Sequence, residues 1–341
     1  MSIPVALSDL WRRLSLRQPW LRWMARWGVS VASLLGGAAT LFVFRRGLPH
    51  VGWIVGYLIL LWLLFTVVTE VRKSFEARER WVITAADYTI QSLYHGLVLF
   101  ILPGYFASTT FSSVNVWFFL LLVLLALLTS MDPWYRTLVL PHGPVRPLLF
   151  GVSCFAALNV AVPLVGVRPI WALGASAVLS ALALTPALRR AGGSWKAAWI
   201  RSASVAVLAA VALWYLRAAI PPAPLHLARA TLARSVEALE PVEPIAGPIT
   251  ADTLRTWGSL VAYTAVYAPA GLNQSIAHVW RKNGEAVTTI SLSPIRGGRR
   301  EGFRTYSRKA DFKGDPSGEW SVDVVTGSGQ LIGRLRFTVT P

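Results

Sequence analysis

The sequence predicts two architectures in one chain: an α-helical polytopic membrane bundle of about seven spans, followed by an all-β, immunoglobulin-like antiparallel sandwich. Of the 341 residues, 54% are hydrophobic and only 14% are charged, whereas soluble globular proteins carry about 25% charged residues. Long apolar runs end near residue 220, and after it apolar and polar residues alternate with a period of two. We therefore divide the chain into a basic, Trp-rich interfacial segment (1–27), a transmembrane bundle (28–219) and a sandwich domain (220–341).

Seven apolar runs are long enough to cross about 30 Å of hydrocarbon, which takes roughly 17 to 25 helical residues. They are 28–44, 51–69, 82–102, 114–130, 148–167, 169–188 and 197–216. Gly36-Gly37 weakens the first run and the fourth is short. Only Val167-Arg168-Pro169 divides the fifth from the sixth, so those two must form a tight helical hairpin.

Basic residues near the span ends give the expected orientation, because loops rich in Lys and Arg stay in the cytoplasm. With the N-terminus inside, the cytoplasmic segments carry fifteen Lys and Arg residues and the opposite side carries four. An odd number of spans then places the C-terminal domain outside the cytoplasm, whereas six or eight spans would reverse it. No small-residue cleavage site follows the first span, so we expect that span to be a retained anchor. Segment 1–27 holds five Arg and four Trp, so we expect a helix in the lipid headgroup region.

The sandwich is predicted from strand-like alternation and from turn residues. In 331–339 the odd-numbered residues are apolar or Gly and fall on one face, which we expect to be buried. Asn283-Gly284 and Gly327-Ser328-Gly329 are typical of hairpin turns. The predicted strands are 225–236, 256–268, 275–282, 285–292, 302–311, 319–326 and 331–340. A helix is the alternative for 225–240, which is rich in Ala, Arg and Leu.

One candidate site lies in the third span, where Asp87, Gln91 and His95 recur every four residues and so share one helix face. A charge at mid-bilayer costs about 2.5 to 3.5 kcal/mol, so such residues usually face a bundle interior or a water-filled path. The functional hypothesis is a transporter or a lipid-modifying enzyme. The alternative is that Asp87 lies near the cytoplasmic end and pairs with Arg78 or Arg80, while His95 is a neutral packing residue.

A second candidate site is the segment 296–309, which has six basic residues and one acidic residue. The ligand- or partner-binding candidates are Arg299, Arg300, Arg304, Tyr306 and Arg308. Strand alternation puts Arg304, Tyr306 and Arg308 on one side of the strand, and only one of its two sides can face a ligand. The other side carries Phe303, Thr305, Ser307 and Lys309. Outside the cytoplasm the anions within reach are lipid headgroups, envelope polymers or an acidic protein, and nucleic acid is not expected. The alternative is an edge strand whose charges prevent aggregation.

The remaining polar residues predict packing rather than chemistry. His278 shares a strand face with Trp280, which we expect in the core, so we expect the histidine to be partly buried and hydrogen-bonded. Asn159 in the fifth span is typical of an interhelical hydrogen bond. Cys154 is the single cysteine, so the chain forms no internal disulfide. We find no metal-ligand spacing, phosphate loop or nucleophile motif, and we predict no catalytic residue, no metal and no cofactor.

Several blocks in order give the C-terminal part a resemblance to a bacterial domain of unknown function. They are His278-Val279-Trp280 (HVW), the run 302–309 (GFRTYSRK), 318–325 (GEWSVDVV) and 329–337 (GQLIGRLRF). The membrane half, with blocks at 93–96, 102–105 and 132–135, is similar to an uncharacterised polytopic partner of that domain. The resemblance implies a bacterial inner-membrane protein and no catalytic residues. Combined with the orientation argued above, it puts the C-terminal domain in the periplasm.

These observations favour a binding function. The bundle anchors the chain in the lipid bilayer, and the periplasmic sandwich binds a partner protein or an anionic envelope polymer. The competing hypothesis places transport or lipid modification at Asp87, Gln91 and His95. The sequence indicates neither an enzyme class nor an oligomeric state.

Overall fold

The computed structural model of the protein describes residues 51–71, 80–189, 193–312 and 314–341. The predicted interfacial segment (1–27) and the predicted first span (28–44) lie outside these residues. Within them, a helical part is followed by a part made mostly of β-strands.

Six long helices form the helical part. They are α1 (Val51–Val71), α2 (Arg80–Ser108), α3 (Val116–Ser130), α4 (Val145–Leu164), α5 (Pro169–Ala183) and α6 (Trp195–Tyr215). Short turns of helix at Asp132–Trp134, Tyr135–Val139, Thr185–Leu188 and Arg217–Ala219 join some of them. Large apolar side chains also cover the outside, as in α3, where Trp117 is 70% exposed. A helix that is apolar on all sides belongs in a protein core or a membrane.

The prediction of seven spans is wrong for the described residues. Three helical segments are long and apolar enough to cross a membrane: Ala86–Ser108, Val145–Leu164 and Trp195–Tyr215. A fourth span results only if Val116–Ser130 and Asp132–Val139, which bend by 94° at their break, count as one. The apolar helices Ile54–Thr69 and Pro169–Ala183 are shorter, and 15 residues of α5 rise only about 22 Å at 1.5 Å per residue. An apolar run therefore overestimates the length of straight helix.

Buried polar contacts hold the helices together. Tyr105 in α2 donates its hydroxyl to the backbone oxygen of Ala156 in α4 at 3.0 Å, and Asn159 donates to the Tyr105 oxygen at 3.1 Å. The structure thus gives Asn159 the interhelical hydrogen bond that the sequence predicts. Phe65 and Phe150 stack at 4.2 Å and join α1 to α4.

Two sheets pack face to face in the C-terminal part. The strands are β1 (His226–Glu237), β2 (Glu240–Ile245), β3 (Ile249–Thr250), β4 (Ser259–Tyr267), β5 (Asn273–Gln274), β6 (Ile276–Lys282), β7 (Glu285–Ser291), β8 (Ile295–Arg296), β9 (Phe303–Ala310), β10 (Gly318–Thr326) and β11 (Leu331–Thr340). Sheet A has the order β2-β1-β4-β9 and sheet B the order β3-β11-β10-β6-β7. A short helix, α7 (Ala251–Trp257), precedes β4. All seven predicted strands are present, and the helical alternative for 225–240 is wrong.

The core of the sandwich lies between the sheets. Trp280 is fully buried and meets Phe337 edge-on at 6.3 Å, while Trp320 stacks on the same ring at 6.0 Å. The Asn283-Gly284 turn joins β6 to β7 with positive φ at both residues, 48° and 89°, as a two-residue hairpin requires.

Hydrogen bonds seat the sandwich on one end of the bundle. Arg217, just after α6, donates through Nε to the backbone oxygen of Ser328 in the β10–β11 hairpin at 2.9 Å. Arg334 in β11 donates through Nη1 to the backbone oxygen of Ser112, in the loop between α2 and α3, at 3.2 Å.

A close backbone approach adds a third contact at the same end. Gly166, in the turn between α4 and α5, has φ +88°, and a Cβ there would lie 3.1 Å from the backbone oxygen of Gly271. Loops 109–115, 165–168 and 216–225 therefore all lie at the sandwich end. α2, α4 and α6 each end at one of these loops, and α3 and α5 each begin at one, so the last residues of α3 and α5 and the first residues of α2, α4 and α6 lie at the far end.

Candidate functional site

The polar stripe of α2 packs against α3. Gln91 donates through Nε2 to the backbone oxygen of Thr129 at 3.0 Å, and His95 Nδ1 lies 2.6 Å from the hydroxyl of Ser130. Both Gln91 and His95 are buried. Hydrogen bonds of this kind hold neighbouring membrane helices together, so these two residues have a packing role in the structure.

Asp87 is placed differently, because it lines two cavities at the far end of the bundle. The larger has a volume of about 280 Å³ and the smaller about 170 Å³, and Tyr135 lines both. Arg146 lines the larger one, and the ion pair of Asp132 with Arg136, at 3.1 Å, lines the smaller one. Gln91 also lines the smaller cavity, whereas His95 lines neither, so the stripe does not act as one unit and only its outer part reaches these cavities.

Sequence reasoning missed Tyr135 and Arg146. Tyr135 begins a π-helical turn, Tyr135–Val139, directly after the 94° break at the end of α3. Such turns often occur at functional sites. Neither residue belongs to a periodic pattern with Asp87, so the fold alone brings them together. In the sequence, the Asp132-Pro133 pair is the local feature that indicates the end of α3, because the residue before a proline tends to avoid helical geometry.

The basic segment forms strand β9 and the turn before it. Arg304, Tyr306 and Arg308 point outwards, whereas Thr305, Ser307 and Lys309 are buried, as the alternation predicts. β9 is an edge strand of sheet A. A charged edge strand resists pairing with another chain. The exposed charges of β9 therefore fit a strand protected from aggregation as well as they fit a ligand-binding surface.

Arg304 is already neutralised within the domain. Its guanidinium lies 2.6 Å from a carboxylate oxygen of Glu240 and 3.2 Å from one of Glu301. Glu240 also pairs with Arg229 at 3.1 Å. A ligand would have to compete with two carboxylates for Arg304, so this residue is the weakest of the five candidates.

The other candidates remain exposed. Tyr306 is 40% exposed, and Arg299, Arg300 and Arg308 are also exposed. Arg299 stacks over the ring of Phe303 at 5.5 Å. The domain 220–341 has fourteen basic and ten acidic residues, and 296–309 alone has six basic and one acidic. The whole excess of positive charge therefore lies in this one segment.

The turn before β9 lies close to the bundle. Gly297 donates its backbone N–H to Leu272 at 2.9 Å and Gly298 donates to Ala268 at 3.0 Å, so the turn packs on loop 268–272. That loop contacts Gly166 at the end of the bundle. The basic residues therefore run from a point near the bundle outwards along β9.

His278 joins the two sheets inside the core. Its Nδ1 lies 2.8 Å from Ser307 Oγ and its Nε2 lies 3.0 Å from Thr264 Oγ1, while Trp280 Nε1 donates to Ser307 at 3.0 Å. Burial lowers the pKa of His278 to about 4, so the ring is neutral. Among the described residues no group of three or more His, Cys, Asp or Glu is placed to hold a metal ion.

Two family models match the chain. One, described as "Family of unknown function (DUF5924)", matches residues 10–261, and the other, "Protein of unknown function (DUF2914)", matches residues 273–339. No curated protein matches. The first match ends within β4, and β9 from the second match pairs with β4. The sandwich is therefore built from both matched regions.

Proposed function

The chain belongs to the DUF5924 family, whose function is unknown, and from its structure we propose that it is a membrane-held binding module for an anionic polymer of the cell envelope. The helices hold the chain in the membrane. Outside the cytoplasm, the sandwich presents a basic strip, formed by the exposed residues Arg299, Arg300 and Arg308. The observation that carries the proposal is the confinement of the domain's positive excess to residues 296–309, along one exposed edge.

The charges at the two ends of the bundle support the proposed orientation. At the sandwich end, the described residues of the bundle and its loops include two basic residues, Arg168 and Arg217. At the far end they include six, namely Arg80, Arg136, Arg146, Arg189, Lys196 and Arg201. Basic loops stay in the cytoplasm, so the far end is cytoplasmic and the sandwich is periplasmic. This argument does not depend on the number of spans.

The strand order supports an immunoglobulin-like sandwich. β4 pairs with β1 and β9 in one sheet, and β10 pairs with β6 and β11 in the other. Immunoglobulin domains pair strand B with A and E, and strand F with C and G. With β4 as B and β10 as F, each pairing in this chain has its counterpart.

The shape of the basic strip favours a linear polyanion over a compact ligand. Arg308 is exposed on β9, five residues beyond the start of the strand at Phe303, which is about 16 Å at 3.3 Å per residue. Arg299 and Arg300 extend the strip towards the membrane. A chain of carboxylates or phosphates can contact these charges one after another, and an acidic protein partner would need matching spacing on a folded surface.

The test compares the full chain in phosphatidylcholine nanodiscs with a variant carrying Arg299→Gln, Arg300→Gln and Arg308→Gln. Co-sedimentation with purified peptidoglycan sacculi, whose peptides carry carboxylates, measures binding. We expect at least a tenfold loss of affinity in the variant and weaker binding at high salt, because exposed charges are screened. The matched control changes three exposed arginines elsewhere on the domain: Arg234, Arg255 and Arg336. Equal binding by both variants would refute the proposal.

A second function rests on the cavities at Asp87. A carboxylate with an arginine and two tyrosines around a 280 Å³ cavity suits transport or modification of a polar or lipid-linked substrate. If this function operates, Asp87→Asn abolishes the rescue of a deletion strain, while Gln91→Leu lowers only stability. The cavity function is refuted if Asp87→Asn fully rescues the deletion strain while the chain with the Arg299, Arg300 and Arg308 changes does not. The binding function would then be the one that the strain requires.

A further inference from the structure

A cavity of about 350 Å³ opens between the two edge strands β7 and β9. Its walls come from the end of β6, from β7, from β9 and from the segment that leads to β10. The residues lining it are Lys282, Val287, Thr288, Lys309, Ala310, Asp311, Phe312, Asp315, Pro316 and Trp320. It lies on the inner side of β9, away from the exposed basic strip.

Lys309 is the unusual residue of this cavity. It points between the sheets, and the residue is only 7% exposed. Its Nζ lies 3.3 Å from Thr288 Oγ1 and 5.2 Å from the centre of the Phe312 ring. An ammonium group has three N–H donors. Among the described residues, Thr288 is the one hydrogen-bond acceptor recorded for it. Burial lowers the pKa of Lys309 from its ordinary value, an effect that nearby Asp311 partly opposes.

The other polar groups of the cavity are largely occupied. Lys282 donates through Nζ to the backbone oxygen of Asp315 at 2.5 Å. Hydrogen bonds from Ser317 lower the pKa of the Asp315 carboxyl, which is therefore ionised at the rim. Trp320 Nε1 donates to Pro316 at 2.8 Å. The inner wall therefore offers aromatic surface and the Lys309 ammonium to a ligand.

We propose that this cavity binds a small organic monocarboxylate, whose carboxylate accepts hydrogen bonds from Lys309 Nζ and whose apolar body packs on Phe312 and Trp320. A buried ammonium is costly when its N–H donors lack acceptors, and the carboxylate of a ligand in the cavity would supply them. A dianion such as phosphate fits less well, because Asp311 and Asp315 line the same cavity and would repel the second charge. The site is independent of the binding function proposed above.

The experiment uses the full chain in phosphatidylcholine nanodiscs and 4-fluorobenzoate as the probe. Fluorine NMR line broadening reports binding, and excess unlabelled benzoate must reverse it. Neutral 4-fluorobenzyl alcohol has a similar ring and no carboxylate, so we expect it to bind at least tenfold more weakly. We also expect binding to weaken as the pH rises and Lys309 loses its proton.

Lys309→Met should lower affinity roughly 10- to 100-fold, as expected for the loss of a charged hydrogen bond. The matched control Lys282→Met removes a lysine that is already hydrogen-bonded, so a smaller loss is expected. Near-UV circular dichroism checks that each variant is folded. The proposal is overturned if 4-fluorobenzoate does not broaden with the wild-type chain, if the alcohol binds as well, or if folded Lys309→Met binds unchanged. If Lys309→Met does not fold, two measurements on the wild-type chain test the proposal: the affinity for 4-fluorobenzoate relative to 4-fluorobenzyl alcohol, and the pH dependence of 4-fluorobenzoate binding.

Discussion

Arg334 in the last strand donates through Nη1 to the backbone oxygen of Ser112 at 3.2 Å, although the two residues are 222 positions apart. The same guanidinium binds the carboxylate of Asp323, with Nη2 at 2.8 Å from Oδ2 and a second, short contact from Nε. Asp323 is 3% exposed and also pairs with Arg281 at 2.9 Å. One arginine therefore stabilises the sandwich and fixes it to the bundle.

Replacing Arg334 with Gln should loosen this joint. Asp323 keeps only Arg281 as its described ion-pair partner, so we expect a loss of roughly 2 to 3 kcal/mol in the stability of the sandwich. Loop 109–115 should exchange its amide hydrogens faster. Hydrogen exchange on the full chain in nanodiscs measures both effects, and Arg336→Gln, on the same face of the same strand, is the control. Unchanged exchange in loop 109–115 would show that the joint does not depend on Arg334.

His278 should make the sandwich less stable in acid. Its pKa is about 4 in the folded chain and about 6.5 when unfolded, so between these values the unfolded state binds more protons. The contribution of His278 to the free energy of unfolding is therefore fully present above pH 6.5. It falls by about 3 kcal/mol as the pH drops towards 4. His278→Gln should flatten this slope, and the exposed His142→Gln should not. Urea unfolding at a series of pH values, monitored by pulsed hydrogen exchange of residues 276–310, measures how the free energy of unfolding changes with pH. An equal slope in wild type and His278→Gln would show that His278 does not cause the loss of stability in acid.

Gly297 should not tolerate a side chain. A Cβ there would lie 1.7 Å from the backbone oxygen of Pro269, so the turn carrying Arg299 and Arg300 would have to move. We expect Gly297→Ala to destabilise the sandwich by more than 2 kcal/mol and to weaken binding to sacculi. At Gly143 nothing lies within 4 Å of such a Cβ, so Gly143→Ala should be neutral. A Gly297→Ala chain with wild-type stability and binding would show that the turn is not tightly packed.

The strands could be predicted because their signals are local. Alternation placed Arg304 and Arg308 on one face of the strand and Ser307 and Lys309 on the other, and the structure shows that the second face is the buried one. Asn283-Gly284 marked its hairpin because both residues accept positive φ. β2 escaped prediction because two prolines interrupt its short sequence.

The number of spans could not be predicted because hydropathy does not report where a helix bends. Residues 116–128 are apolar throughout, yet α3 is 15 residues long and the chain turns by 94° after it. The ion pair of Arg304 with Glu240 was equally hidden, because it joins segments 64 positions apart that meet only in the folded sheet. Likewise, the sequence puts Lys309 on the face of β9 opposite to Arg308, but it does not show the cavity beside that face.

The location of the sandwich outside the cytoplasm is the central claim, because the basic strip can meet an envelope polymer only there. Ser293 is exposed in the loop after β7, and the single cysteine, Cys154, is buried. We expect Ser293→Cys, in a Cys154→Ser background, to react with a membrane-impermeant maleimide in cells whose outer membrane is permeabilised and whose inner membrane is intact. Reaction only after the inner membrane is lysed would place the sandwich in the cytoplasm and contradict the account.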